Sequence, residues 1–106
     1  MLCVCQYGHS RSVALARALH ARKVPAVACG VATAGSALAT LTAWAEHVLL
    51  LDDALRGAIP VADVGKVISF HVGPDRWVNP YNAELAAILS AMIDERLAHV
   101  IGKGTP

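Results

Sequence analysis

The chain has 106 residues, of which 56% are apolar and 16% are charged, so its composition excludes a disordered chain. Its length favours one domain, residues 1–106, with one hydrophobic core. The formal net charge of +1 gives no reason to expect binding to nucleic acid or to a membrane surface.

Apolar segments and turn residues predict strands and helices that alternate along the chain. Strands are expected at residues 1–5, 26–30, 48–51 and 66–72. Helices are expected from residue 10 or 11 to about 22, from Ser36 as N-cap to about 45, and from 79 to about 101. Asn79 followed by Pro80 is typical of an N-cap and a first helical position. This alternation favours a three-layer α/β/α fold around a four-stranded parallel sheet with right-handed crossovers.

The most informative motif lies between the first strand and the first helix. It is the cradle loop, made of Cys5, Gln6, Tyr7, Gly8, His9, Ser10, Arg11 and Ser12. Five residues between cysteine and arginine let the chain curl once, so that backbone N–H groups converge on one point at a helix N-terminus, where an anion is favoured. Arg11 can add a planar, two-pronged contact to phosphate oxygens. The spacing therefore predicts that residues 6–12 bind phosphate or a sulfate-like anion.

Cys5 is the candidate nucleophile of this loop. A helix N-terminus and a nearby arginine favour the thiolate over the thiol, and the thiolate is the attacking form. Ser12 could donate a hydrogen bond to the sulfur and make it a better leaving group in a later step. His9 could contact a substrate, although a solvated loop histidine fits the sequence equally well.

Carboxylates follow the later strands. Asp75 comes after the fourth strand, with Trp77 close enough in sequence to reduce its solvation, and it is the candidate general acid. Asp52 and Asp53, at the end of the third strand, are its rivals. Because the carboxyl ends of parallel strands meet at one edge, these residues and the cradle loop are expected at the same edge of the sheet. Trp77 and Tyr7 could form an aromatic wall for a phosphoaryl group.

No metal site is expected. Cys3, Cys5 and His9 have poor ligand spacing, and Arg11 would oppose a cation. Cys3 and Cys29 are expected as small core residues on neighbouring strands. Three cysteines, an odd number, argue against a disulfide framework and favour a reducing compartment, and no signal peptide is visible in the first residues.

The cradle loop on the first strand, with an acidic loop late in the chain, resembles the low-molecular-weight protein tyrosine phosphatases. Other segments similar to that family or its shorter branch are Thr33-Ala34-Gly35, residues 44–51 and residues 74–77. The loop string itself is similar to that of dual-specificity phosphatases, and Ser10 stands where the larger family has a second cysteine. With this topology we expect the strand order 2-1-3-4, with the phosphate-binding loop after strand 1.

The resemblance implies a phosphomonoester hydrolase, a protein tyrosine or dual-specificity phosphatase, that forms a cysteinyl-phosphate. Its catalytic residues are then Cys5, Arg11 and Asp75, and its substrate is a phosphorylated protein or a small aryl phosphate. No cofactor is implied. We expect a cytoplasmic monomer or weak dimer with neither a nucleic acid nor a membrane as partner.

Two other functions remain open at this point. An arsenate reductase would use a similar fold and loop, but that chemistry needs further cysteines, and none follows Cys29. A non-catalytic module that binds phosphate or a phosphorylated partner would need only the anion site. Hydrolysis of an aryl phosphate separates this module from an enzyme.

Overall fold

A parallel β-sheet forms the centre of the fold in the computed structural model, which describes residues 1–73, 77 and 79–101. Its strands are β1 (Leu2–Cys5), β2 (Val27–Gly30), β3 (Val48–Leu50) and β4 (Val67–Ser69). They lie in the order β2-β1-β3-β4, and each pair of neighbours is parallel. The predicted α/β class and the predicted strand order are thereby confirmed.

Helices pack on both faces of this sheet. The α-helices are α1 (Arg11–Ala21), α2 (Val31–Ala34), α3 (Ala37–Trp44), α4 (Ala83–Arg96) and α5 (Ala98–Ile101). Two 3₁₀ helices, Asp53–Ala58 and Val61–Lys66, lie between β3 and β4 in the chain. The larger core cluster joins α1 and α4 to one sheet face, for example through Leu15 and Leu89. The smaller cluster lies on the other face, where Leu41 of α3 packs.

The strands are apolar at successive positions because both of their faces are buried. Cys3 and Leu49 belong to the larger cluster, whereas Leu2 and Val48 belong to the smaller one. This alternation follows from the two-residue period of a strand. It places the side chain of Cys5 on the same face as α1, the helix that the cradle loop leads into.

A small polar cluster fixes the second 3₁₀ helix to the end of α3. The Thr42 hydroxyl donates to Asp63 Oδ2 at 3.0 Å, and Lys66 Nζ lies 3.0 Å from Asp63 Oδ1. Lys66 Nζ also donates to the carbonyl oxygen of Thr42 at 2.9 Å. The lysine therefore caps the C-terminus of α3, where a positive charge is favourable.

The structure contradicts the predicted start of the last helix. The side chain of Asn82 caps α4 by accepting a hydrogen bond from the Leu85 N–H at 3.0 Å. Asn79 instead forms a turn, in which its Oδ1 accepts from the Tyr81 N–H at 2.9 Å. The helical segment is also interrupted at Leu97, which separates α4 from α5.

The extent of the fourth strand also differs from the prediction, whereas the N-cap position of α3 agrees with it. Strand pairing in β4 covers only Val67–Ser69. Beyond it, the Phe70 N–H still donates to the carbonyl oxygen of Leu50, and the Val72 N–H donates to that of Leu51. Residues 31–34 form a helical turn, and Gly35 follows it with a positive φ of 56°. Ser36 is the N-cap residue of α3, but its side chain makes no capping hydrogen bond.

The carboxyl edge of the sheet carries the residues that the sequence predicted there, as far as the structure describes them. The cradle loop follows β1, Asp52 follows β3, and His71 and Gly73 follow β4. Asp75 lies outside the described residues. No helix in the described part of the chain is both long enough and apolar enough to cross a membrane.

Candidate active site

The cradle loop packs directly against the end of β2 through two glycines. Gly8 has a φ of 75°, a conformation that favours glycine. A Cβ on Gly8 would lie 2.8 Å from the Gly30 nitrogen, and a Cβ on Gly30 would lie 2.2 Å from the Tyr7 carbonyl carbon. The loop can therefore take this position only because neither residue has a side chain.

The first turn of α2 also holds the loop in place. The Ala32 N–H donates to the Gln6 carbonyl oxygen at 2.8 Å, and the Thr33 hydroxyl donates to the Tyr7 carbonyl oxygen at 3.2 Å. Both bonds turn loop carbonyl groups towards α2. The carbonyl oxygens of Gln6 and Tyr7 are therefore hydrogen-bonded to α2 and point away from the curl of the loop.

The sulfur of Cys5 lies at the base of the loop, with only 2% of the residue exposed. The Gly8 N–H donates to Cys5 Sγ at 3.1 Å, and the Ser12 hydroxyl oxygen lies 3.1 Å from the same sulfur. Ser12 is fully buried in the first turn of α1. When the sulfur is a thiolate, both groups can donate to it, and such charge-assisted hydrogen bonds are stronger than neutral ones.

Arg11 brings a buried positive charge to the same loop. Only 1% of Arg11 is exposed. Its Nη1 donates a hydrogen bond to the Gly73 carbonyl oxygen at 2.6 Å, and the same nitrogen lies 3.5 Å from Asp52 Oδ2. A buried charge requires such compensation. The contacts place the end of β3 and the chain after β4 against the cradle loop.

The two rivals for the general acid both have structural contacts. Asp52 Oδ1 accepts from the Ala54 N–H at 2.9 Å and caps the first 3₁₀ helix, while Oδ2 faces Arg11. Asp53 Oδ1 accepts from the Ser69 hydroxyl at 2.7 Å. Both carboxylates therefore accept hydrogen bonds that stabilise the local structure, Asp52 as a helix cap and Asp53 as a contact with Ser69.

The predicted aromatic wall divides into one exposed residue and one buried residue. Tyr7 is 49% exposed on the cradle loop, whereas Trp77 is 4% exposed and packs in the larger core cluster with Cys5. Tyr7 is thus the aromatic side chain that the loop offers to solvent. His9 is also exposed, and Ser10 is buried at the N-cap position of α1, where its side chain makes no capping bond to the helix.

The other two thiols lie in different environments from Cys5. Cys3 is fully buried on the same sheet face, and burial raises its pKa to about 12. Cys29 pairs with Val4 across the strands and packs against the smaller cluster, so its side chain lies on the opposite sheet face. Burial, and next the charge of Cys5, raises the pKa of Cys29 to about 11. Both thiols are therefore protonated at neutral pH.

Among the contacts of the site that the sequence did not predict, two have a signal in the sequence. One is the close approach of Gly30 to Tyr7, for which the signal was a glycine at the end of a predicted strand. The other is the contact of Asp52 with Arg11, for which the shared sheet edge was the only signal. In the described part of the chain, no group of three or more histidine, cysteine, aspartate or glutamate side chains could hold a metal ion.

No protein-family model matches the chain, and the comparisons with curated proteins and with solved structures find no match either. The cradle loop combines a buried sulfur, two hydrogen-bond partners of that sulfur and a buried guanidinium at the carboxyl edge of the sheet.

Proposed function

We propose that the protein is a phosphomonoester hydrolase that works through a cysteinyl-phosphate intermediate. The observation that carries this proposal is the buried sulfur of Cys5, which accepts from the Gly8 N–H and contacts the Ser12 hydroxyl at the N-terminus of α1. Arg11, in the first turn of that helix, supplies a buried positive charge. A nucleophile, anion-binding amides and a guanidinium are the groups that phosphoryl transfer to cysteine requires.

In the first step, the Cys5 thiolate attacks phosphorus in line with the leaving oxygen. A sulfur–phosphorus bond forms as the bond from phosphorus to the leaving oxygen breaks, and that oxygen takes a proton from the general acid. Arg11 and the loop N–H groups stabilise the charge on the equatorial oxygens.

In the second step, water attacks the phosphorus of the cysteinyl-phosphate. The same acid, now a carboxylate, takes the proton from the water, the sulfur–phosphorus bond breaks, and phosphate leaves. The Ser12 hydroxyl, 3.1 Å from the sulfur, stabilises the departing thiolate by donating a hydrogen bond.

Asp75 is the proposed general acid and base. Asp75 follows Gly73 by two residues in the sequence, and the carbonyl oxygen of Gly73 accepts a hydrogen bond from Arg11. The rivals Asp52 and Asp53 already accept hydrogen bonds from backbone or hydroxyl donors, which favours structural roles for both.

The proposed substrate is an aryl phosphate, including phosphotyrosine in a protein. The exposed side chain of Tyr7 on the cradle loop supports this choice, because offset aromatic pairs are favourable. The three cysteines are all free thiols, which fits the proposed cytoplasmic location, where thiols stay reduced. We propose a monomer or a weak dimer.

Arsenate reduction is disfavoured by the positions of the remaining thiols. Within one chain, that reaction needs a second cysteine thiolate that attacks the sulfur of the cysteine–arsenic adduct, so that a disulfide forms, the sulfur–arsenic bond breaks and arsenite leaves. Disulfide geometry requires a close approach of the two Cβ atoms. Cys29 lies on the other sheet face, and Cys3 is fully buried within β1. Neither is placed as a resolving thiol for Cys5.

The test compares hydrolysis of an aryl phosphate by the wild-type protein with hydrolysis by Cys5→Ser and Arg11→Lys. Cys5→Ser should eliminate turnover but retain thermal protection by sulfate, because the loop amides survive the change. Arg11→Lys should lose nearly as much turnover as Arg11→Ala, since lysine cannot make the planar two-pronged contact.

Two results would contradict the proposal. Substantial hydrolysis by Cys5→Ser would remove Cys5 from the role of nucleophile. Sulfate protection of the wild-type protein without any hydrolysis across a range of aryl phosphates would instead support the non-catalytic phosphate-binding module.

A further inference from the structure

His71 connects the two chain segments that contact Arg11. The backbone N–H of Asp53 donates to His71 Nδ1 at 2.9 Å, which ties the turn after β3 to the chain after β4. The neighbouring Asp52 lies 3.7 Å from the same ring nitrogen through Oδ1 and 3.5 Å from Arg11 Nη1 through Oδ2. Gly73, two residues after His71, accepts from the same Arg11 nitrogen.

The hydrogen bond from Asp53 defines the protonation state of the ring in this structure. An imidazole nitrogen that accepts an N–H must be unprotonated, so His71 is neutral here and carries its proton on Nε2. Its side chain is 48% exposed, so protons have free access to it. Imidazoles commonly change their charge between about pH 5 and 8.

Protonation of Nδ1 would change both contacts of this nitrogen. The Asp53 N–H would lose its acceptor, because two N–H groups cannot share one hydrogen bond. A positive N–H group would then stand 3.7 Å from Asp52 Oδ1 and compete with Arg11 for this carboxylate.

We propose that His71, acting through Asp52, is a positioning residue for Arg11, so that protonation of His71 displaces the guanidinium from its catalytic position. This inference rests on the proposed function, because it assigns Arg11 to the transition state. Turnover should fall on the order of tenfold when His71 takes its proton, within the range typical of coupling between two sites.

Charged residues of both signs lie on the segments near this ring. Asp52 and Asp53 belong to the turn after β3, and Asp52 Oδ1 lies 3.7 Å from the ring nitrogen. Arg11 of α1 contacts Asp52, and Arg96 of α4 donates to the carbonyl oxygen of Ser69, two residues before His71. The titration of His71 is therefore measured directly.

Two variants distinguish the effect of protonating His71 from the effect of its hydrogen bond with the Asp53 N–H. His71→Asn retains an oxygen that can accept from the Asp53 N–H but cannot be protonated in this range. His71→Leu removes both the acceptor and the proton. Turnover of an activated aryl phosphate should remain high at acidic pH in His71→Asn relative to the wild type, and it should be low at all pH values in His71→Leu.

The decisive measurement is an NMR titration of the full chain, with resonances of the His71 ring, the Asp53 amide and the Arg11 guanidinium followed from pH 8 to 5. In the wild type, the Arg11 signals should shift with the midpoint of the His71 ring, and in His71→Asn this shift should be absent. Arg11 signals that do not follow His71, or that shift equally in His71→Asn, would overturn the inference. If they follow His71 but no aryl phosphate is hydrolysed, the coupling stands and the proposed function fails.

Discussion

The contact between Gly30 and the cradle loop leads to a prediction whose size follows from the structure. An alanine Cβ at Gly30 would lie 2.2 Å from the Tyr7 carbonyl carbon, 2.4 Å from the Gly8 nitrogen and 2.6 Å from the Tyr7 carbonyl oxygen. Ordinary contact begins near 3.4 Å, and all three atoms belong to the backbone, so no flexible side chain can give way. Gly30 itself has φ −123° and ψ 140°, which alanine adopts readily, so steric overlap is the only cost of the substitution.

Gly30→Ala should therefore move the loop by about 1 Å. Overpacking of this kind costs about 1–3 kcal/mol of unfolding free energy. A misplacement of about 1 Å costs on the order of 100-fold in turnover, because the loop amides no longer meet the phosphoryl oxygens. Urea unfolding, thermal protection by sulfate and hydrolysis of an aryl phosphate measure the three effects.

Gly57→Ala is the matched control. A Cβ at Gly57 meets no atom within 4 Å, so its unfolding free energy should change by no more than about 0.5 kcal/mol, with turnover unchanged. Equal sulfate protection and equal turnover in Gly30→Ala and the wild type would refute the argument that this approach shapes the anion site.

Three further predictions concern the acid, the thiols and the polar cluster beside α3. Asp75→Asn should lose more turnover with a poor phenolate leaving group than with a nitrophenolate, and a steeper dependence in Asp52→Asn would contradict the assignment. Burial raises the pKa of Cys3 to about 12 and that of Cys29 to about 11, so iodoacetate at pH 7 should modify the cradle cysteine first, and phosphate should slow that reaction alone. Equal rates at all three thiols, measured by peptide mass spectrometry, would contradict this. The hydrogen bond from Lys66 lowers the pKa of Asp63. The stabilisation that the Asp63 carboxylate provides is therefore present above about pH 4 and is lost as the pH falls through the lowered pKa. Urea unfolding of Asp63→Asn should consequently depend less on pH below 4 than that of the wild type, and parallel curves would refute the effect.

The local part of the site could be predicted because its signals are adjacent in the sequence. An apolar strand, a cysteine, five residues and Arg11 at the start of a helix specify a loop at a helix N-terminus. The structure has this arrangement, with β1 ending at Cys5 and α1 beginning at Arg11. Three consecutive polar residues of this loop, Ser10, Arg11 and Ser12, are buried.

The non-local part could not be predicted, because it depends on how distant segments approach. The contacts of Gly30 with Tyr7 and of Asp52 with Arg11 join positions more than 20 residues apart. A tryptophan near a predicted loop can line a pocket or enter the core, and Trp77 belongs to the core cluster that includes residues of α1 and α4. Residues 79 and 82 are both asparagines, the type that commonly caps a helix, and only the structure shows that Asn82 does so.

In the proposed mechanism, Cys5 carries the phosphoryl group during turnover. Wild-type protein should be mixed rapidly with an aryl phosphate, quenched in acid and digested, so that phosphorylated peptides can be identified by mass spectrometry. We predict one phosphoryl group on the sulfur of Cys5, formed within a single turnover and absent from Cys5→Ser. Hydrolysis of the substrate without phosphorylated Cys5 at any quench time, or with the phosphoryl group on another residue, would contradict the proposed mechanism.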